Sequence, residues 1–313
     1  MFKSAKENFR IEQDHRKQLN QNRLFFGVSY LDKGSLGIRP NDLILLGAYS
    51  GAGKSQLCVN IAQTNLQLGK KIHFIALEDE CFEIERRLKY QMLAKCYFDD
   101  KERNTSEGEI RYDKWLNGYL ENSFEKYMEQ VNITCENYYG NLLTFYKDKN
   151  FGVNELIENV TKVVDETSMV VIDHVHYFDW DDDDNKAIKQ IAKTVRTLVL
   201  EFSKPIILVS HLRKRDRNSK ELCPGLDEFH GSSDLFKIAT KVVTMCGGNP
   251  DGNGYATYFR MPKNRNNGSV TRFVGKVIFD VRRNCYEEDF KVGWANDSKF
   301  GELAPDLKPD WAK

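Results

Sequence analysis

The stretch 47-GAYSGAGKSQLCVNIA-62 sets two glycines, a lysine and a serine where an anion could sit. Gly51 and Gly53 let successive backbone N–H groups turn inward around phosphate oxygens. Lys54 would then reach the β- and γ-phosphates, and the Ser55 hydroxyl would ligate Mg²⁺. A helix starting near residue 54 would point its positive end at the same anion. The contact run is Ser50, Gly51, Ala52, Gly53, Lys54, Ser55 and Gln56. The full pattern G-x-x-x-x-G-K-[ST] asks for glycine at position 48, where the chain has Ala48. That glycine serves the entry of the turn, so a small residue with allowed backbone angles is expected to suffice. The bland alternative is a glycine-rich turn with no ligand. A strand before it and a helix after it favour the nucleotide.

Four more groups follow apolar runs in the same manner. Asp173 closes 168-SMVVIDHVHYF-178 and can hold Mg²⁺ directly or through water; alternatively it caps the next turn. Glu78 ends FIALEDE and can orient and deprotonate an attacking water, although Asp79 or Glu80 could fill that role. His211 ends 206-IILVSHLRK-214, where a polar side chain can sense a γ-phosphate; a satisfied surface histidine is the alternative. Lys263 and Arg265 lie two apart in 260-RMPKNRNNG-268, on one side of a strand. They read either as an ordinary basic hairpin or as cations given to a neighbouring subunit's phosphate.

Elements that alternate would position these groups. LILLGAY, KIHFIALE, SMVVIDHVHYF and KPIILVSHL read as buried strands. SQLCVNIAQTNLQLG, ECFEIERRLKYQMLAKCYF, VNELIENVTKVVDE and KAIKQIAKTVRTLVLEFS read as helices, the first closed by Gly69. DLFKIATKVVTMCG reads as helix into strand, and YATYFRMPKN and FVGKVIFDVRRNCYEE as closing strands. The predicted fold class is α/β, a mainly parallel central sheet with helices on both faces. Residues 1–24 form a polar helix or arm, 25–294 the main domain, 98–140 a helical insertion, and 295–313 a loose tail. The acidic run 179-DWDDDD-184 reads as a solvated loop entering a helix, and the aromatics of 112–151 as core.

The totals narrow the partners. There are 46 basic and 46 acidic residues, so nucleic-acid binding must come from local patches such as 212-LRKRDRNSK-220. Seven cysteines without a CxxC pair argue for reduced thiols, a cytoplasmic setting and no structural zinc. No apolar run of about 18 residues is present, so no membrane span is expected.

Taken in order, GAYSGAGKS, IALE, VVIDH, VSHLRK, HGSSDLFKIATKVVTM and MPKNR resemble the RecA-like P-loop ATPase motor of DnaB-type ring-shaped replicative helicases. The resemblance is closest to the phage primase-helicase and Twinkle branch and covers about residues 25–288. It implies ATP or another NTP with Mg²⁺. Lys54 and Ser55 would hold phosphate and metal, Glu78 would be the catalytic base, Asp173 a metal ligand and His211 the γ-phosphate sensor. Lys263 and Arg265 would act across a subunit boundary. Arg213, Lys214, Arg215 and Arg217, with Gly231, Ser232 and Ser233, would line a channel for single-stranded or forked DNA. The implied assembly is a homo-oligomer, a hexamer by resemblance, served by a separate primase and housed in a host cytoplasm if phage-encoded. The family's Gln or Glu and Asp near the second channel loop are Lys237 and Thr240 here. Other readings are a RecA/RadA-like recombinase, a helicase-loading factor, or a nucleotide-gated assembly factor.

Overall fold

Among the described residues, nine strands form one sheet: β1 (Leu43–Ala48), β2 (Ile72–Ala76), β3 (Leu142–Tyr146), β4 (Met169–Asp173), β5 (Ile206–His211), β6 (Lys241–Asp251), β7 (Gly254–Asn264), β8 (Phe273–Asp280) and β9 (Cys285–Trp294). Their order is β3-β2-β4-β5-β1-β6-β7-β8-β9. The structure, a computed structural model, describes residues 4–103, 109–180, 184–213, 221–229, 233–252 and 254–313. From β3 to β6 all pairings are parallel; β6 to β9 continue as an antiparallel meander.

The parallel strands are apolar because both sheet faces are covered. Side chains alternate along β1: Ile44, Leu46 and Ala48 enter one core, Leu43 and Leu45 the other. The first core takes Leu57 and Ile61 from α3 (Lys54–Gln67). The second takes Leu156 and Val160 from α7 (Val153–Val163), and Ile188, Ile191 and Val195 from α8 (Asp184–Phe202). Helix α3 ends where Gly69, at φ +70°, bonds back to Leu66 while Lys70 N–H donates to Asn65 C=O. Only a residue tolerant of left-handed backbone closes a helix this way.

Around residues 98–140, α4 (Glu83–Asp99), α5 (Tyr112–Leu116) and α6 (Glu121–Tyr139) build a separate aromatic core of Tyr90, Tyr97, Phe124 and Tyr127. Helix α1 (Ala5–Gln21), opened by a Ser4–Glu7 capping box, leaves Phe9 and Ile11 more than half exposed. A short helix, α2 (Ser29–Ser35), precedes β1. One local expectation is corrected: FVGKVIFDVRRNCYEE is a hairpin that turns at Asn284, φ +54°. The tail is also not loose: Ala295 and Leu303 are buried, and the Trp311 ring packs edge-on against Tyr30 at 5.6 Å. A large indole gains more by covering the core than a free end gains in chain entropy. Among the described residues, none of the seven cysteines forms a disulfide. Among the described residues, no helix is long and apolar enough to cross a membrane.

Candidate functional site

Parallel pairing carries the ends of β1, β2, β4 and β5 to one edge of the sheet. Ala48 stands level with His211, and Ala76 level with Asp173. That carboxyl edge is where open α/β sheets place ligands. The phosphate loop turns here with Gly51 at φ +76° and Gly53 at φ +92°, backbone that a side chain would strain. Lys54 opens α3 directly after Gly53. Ala48 is a buried strand residue and its methyl belongs to the core. The glycine with no room is Gly47, where a Cβ would lie 2.5 Å from the Phe229 ring and 2.9 Å from Leu212.

Lys54 is buried, and its ammonium donates to the Tyr49 carbonyl at 3.3 Å and to His211 Nδ1 at 3.0 Å. Burial holds its pKa below the usual range, against the opposing pull of Asp173 and Glu78. His211 is likewise lowered, by burial and then by Lys54. Asp173 is fully buried, and desolvation pushes its carboxyl up to about 7. The Ser55 hydroxyl faces Asp173 and pulls the other way, yet neither carboxylate oxygen has a hydrogen-bond partner of good geometry among the described residues. A buried carboxylate left without donors, beside the serine of a phosphate loop, fits a hydrated Mg²⁺.

Glu78 is exposed, and a carboxylate oxygen, one His174 nitrogen and one His211 nitrogen lie within 4.8 Å of one another. Of the neighbouring acids, Glu80 turns away to Arg86 at 3.8 Å, while Asp79 is half-buried and raised by that burial. Glu78 is therefore the acid beside His211. Beyond the loop, a cleft of about 310 Å³ is lined by Gly53, Gln56, Tyr255, Phe279 and Tyr286, ring surface suited to a flat base. The Gln56 amide is already engaged by Asn284 and Arg87. Ser50, Gly51 and Ala52 are exposed or half-exposed along the loop.

Lys263 and Arg265 are not at this edge. Lys241 pairs with both Ile44 and Asn264, so the two cations flank the opposite end of β1. That is about 13 Å along the strand from Ala48 at ~3.3 Å per residue. Lys263 donates to the Phe236 and Lys237 carbonyls at 2.6 and 2.9 Å, and Arg265 to Lys237 at 3.3 Å. These are the last carbonyls of α9 (Ser233–Ile238), which cations near a helix C-terminus satisfy. Thr240 is structural: buried, it donates to Asp42, which also pairs with buried Lys241.

Arg213 is exposed, and its N–H donates to the Glu228 carbonyl at 2.7 Å. Beside it Leu212 and Phe229 form an antiparallel bridge, and Glu228 accepts from the Tyr49 hydroxyl next to the phosphate loop. Lys214, Arg215, Arg217, Gly231 and Ser232 lie outside the described residues; Ser233 begins α9. The sequence reading missed His174 and the aromatic cleft. His174 directly follows Asp173, so its place at the strand end was the available signal.

The family model for the DnaB-like helicase C terminal domain matches residues 24–289. The replicative DNA helicase DnaB of Mycoplasma genitalium is 23% identical over 301 residues, covering 92% of this chain and 58% of that protein. This chain thus spans less than two thirds of that relative's length. Among solved structures, the ATPase domain of G40P matches with a TM-score of 0.71 at 14% identity, covering 92% of this chain and 100% of that one. A DnaB-like replicative helicase, solved for its interactions with primase, matches with a TM-score of 0.67 at 16% identity, covering 83% and 62%. A KaiC-like protein from Pyrococcus horikoshii matches with a TM-score of 0.55 at 15% identity, covering 84% and 97%. The structural matches agree on the RecA-like ATPase fold.

Proposed function

The chain belongs to the DnaB-like helicase C-terminal domain family, and we propose that it is an ATP-driven motor that translocates on single-stranded DNA and unwinds duplex during replication. The reading rests chiefly on one observation. Lys54, Glu78, Asp173 and His211 gather at one sheet edge, while Lys263 and Arg265 sit at the other. A chain built this way completes its catalytic site only with a second copy.

Gly51, Gly53 and the N-terminus of α3 cradle the phosphates, and Lys54 neutralises their charge. Ser55 and Asp173 would hold Mg²⁺, which would supply Lewis-acid withdrawal of charge from the phosphates. Glu78 orients a water and takes its proton. His211 meets the γ-phosphate once Lys54 has left it. Lys263 and Arg265 of the adjoining subunit stabilise charge in the transition state, so hydrolysis waits for closure between subunits. The aromatic cleft takes the base.

Arg213, Lys214, Arg215 and Arg217, with the loop of Gly231, Ser232 and Ser233, grip the DNA backbone by charge, so binding weakens with salt. A ring, most simply a hexamer, encloses the strand in the cytoplasm. Exposed α1 links neighbouring subunits, and a separate primase is the expected partner.

Strand displacement on forked DNA, run beside Lys54→Ala, tests the reading. ATP-dependent displacement lost in the variant supports it. Hydrolysis indifferent to DNA would sink it, and filaments on DNA in place of rings would favour a recombinase.

A further inference from the structure

Glu78, His174 and His211 follow or end β2, β4 and β5, three neighbouring parallel strands, so their side chains converge. One donor atom from each lies within 4.8 Å of the other two. The His174 and His211 ring centroids are 3.8 Å apart, with the planes tilted by 53°. His174 is wholly buried, and its Nε2 has no hydrogen-bond partner among the described residues. Proteins rarely leave such an atom unsatisfied, and the hydrolysis proposed above gives it no task.

We propose that Glu78, His174 and His211 form a second metal site, separate from the Ser55–Asp173 pair, which takes a zinc-type divalent cation and arrests the motor when filled. Two imidazoles and a carboxylate, with open positions for water, are a zinc donor set. Mg²⁺ prefers oxygen ligands alone and would not compete well here. The exposed side of Glu78 leaves the site open to solvent.

Arrest follows from the hydrogen bonds the rings already make. Nδ1 of His174 accepts from the His176 N–H at 3.3 Å, and Nδ1 of His211 accepts from Lys54 at 3.0 Å. An ion must either take Nε2, which returns the ring proton to Nδ1, or displace those donors. Either way Lys54 parts from His211, and the Glu78 carboxylate is no longer free to activate water. The binding rests on this geometry alone; the arrest rests on the hydrolysis proposed above.

The test titrates the full chain with Co²⁺ alone, without nucleotide, and reads visible absorption. The expected result is one Co²⁺ per chain with the spectrum of a four- or five-coordinate nitrogen–oxygen site, displaced by Zn²⁺ but not by millimolar Mg²⁺. Glu78→Gln and His174→Gln should each weaken binding at least about tenfold, as losing even a supporting group commonly does. Glu78 is exposed, so its variant carries the test if the buried His174→Gln chain does not fold. A thiolate-to-cobalt charge-transfer band, or unchanged affinity in Glu78→Gln, would overturn the site. Zn²⁺ should also stop hydrolysis reversibly, with recovery on chelation; a zinc-filled wild-type chain that still hydrolyses would overturn the arrest. A chain with no hydrolysis at all would count against the motor, while the cobalt spectrum would still decide the site.

Discussion

The Lys54 ammonium and His211 Nδ1 share one hydrogen bond of 3.0 Å, so the phosphate-loop lysine and the imidazole at the end of the adjoining strand hold each other. A polyphosphate offers Lys54 ionised acceptors, which make shorter and stronger bonds than a neutral imidazole does. If the proposed roles hold, nucleotide binding should draw Lys54 away and free His211 for the γ-phosphate.

This exchange separates the two residues by experiment. Lys54→Ala should lower kcat by at least about 10²-fold, the usual cost of removing one donor to transition-state charge. His211→Asn should bind nucleotide almost as tightly as the wild type yet lose stimulation by single-stranded DNA. Steady-state hydrolysis with and without DNA, beside a fluorescent-nucleotide titration, measures both. Equal stimulation in His211→Asn and wild type would show that His211 is not the sensor.

Lys263 and Arg265 lie at the far end of β1 from their own phosphate loop, so the catalytic role proposed for them needs a neighbour. Lys54→Ala and Arg265→Ala subunits should each be nearly inactive alone. Mixed together, they place an intact loop against an intact arginine at some interfaces, and hydrolysis should return in part. Co-assembly without any recovery would count against action between subunits. The same cations cap α9, which begins at Ser233 of the proposed DNA-binding segment, so Lys263→Met should also weaken DNA stimulation.

Gly47 and Ala48 make opposite predictions at adjacent positions. Ala48→Gly restores the motif's glycine but removes a core methyl; hydrolysis should stay within about twofold and stability fall by ~0.5–1 kcal/mol, the strand cost of glycine. Gly47→Ala drives a Cβ toward Phe229 and Leu212, an overpacking that should cost about 1–3 kcal/mol. Leu212 and Phe229 bridge beside Arg213, so under the proposed DNA contact at Arg213 the affinity for DNA should drop as well. Urea unfolding and a DNA-binding titration read the two effects.

The strands and the acids at their ends were legible because buried parallel strands are written as unbroken apolar runs, and Glu78, Asp173 and His211 interrupt those runs in one way. The motif's departure at Ala48 was legible too, although the crowding at Gly47 was not, since Phe229 reaches it only through the fold. His174 escaped notice because convergence on Glu78 and His211 depends on strand order, and β2 and β5 flank β4 only in space. Placing Lys263 and Arg265 at the far edge likewise required the β6–β7 register. The tail's packing through Trp311 is tertiary, with no periodicity to announce it.

His73 gives the chain a pH dependence unrelated to catalysis. It lies on β2 with 3% of its surface exposed, and Nδ1 has no hydrogen-bond partner among the described residues. Burial lowers its pKa from 6.5 to about 4. The folded chain therefore keeps His73 neutral at pH values where the unfolded chain has already protonated it. Between pH 6.5 and about 4 the unfolded state binds more protons, so stability is lost as pH falls through that window. The whole window corresponds to about 3 kcal/mol at roughly 1.4 kcal/mol per pH unit, and about 2 kcal/mol of it should be gone by about pH 5. Urea unfolding of the wild type and His73→Leu at pH 7 and pH 5 isolates this term, because every other titrating group acts in both chains. The variant should lose less stability on acidification; an equal loss in the two chains would show that His73 is protonated as readily folded as unfolded.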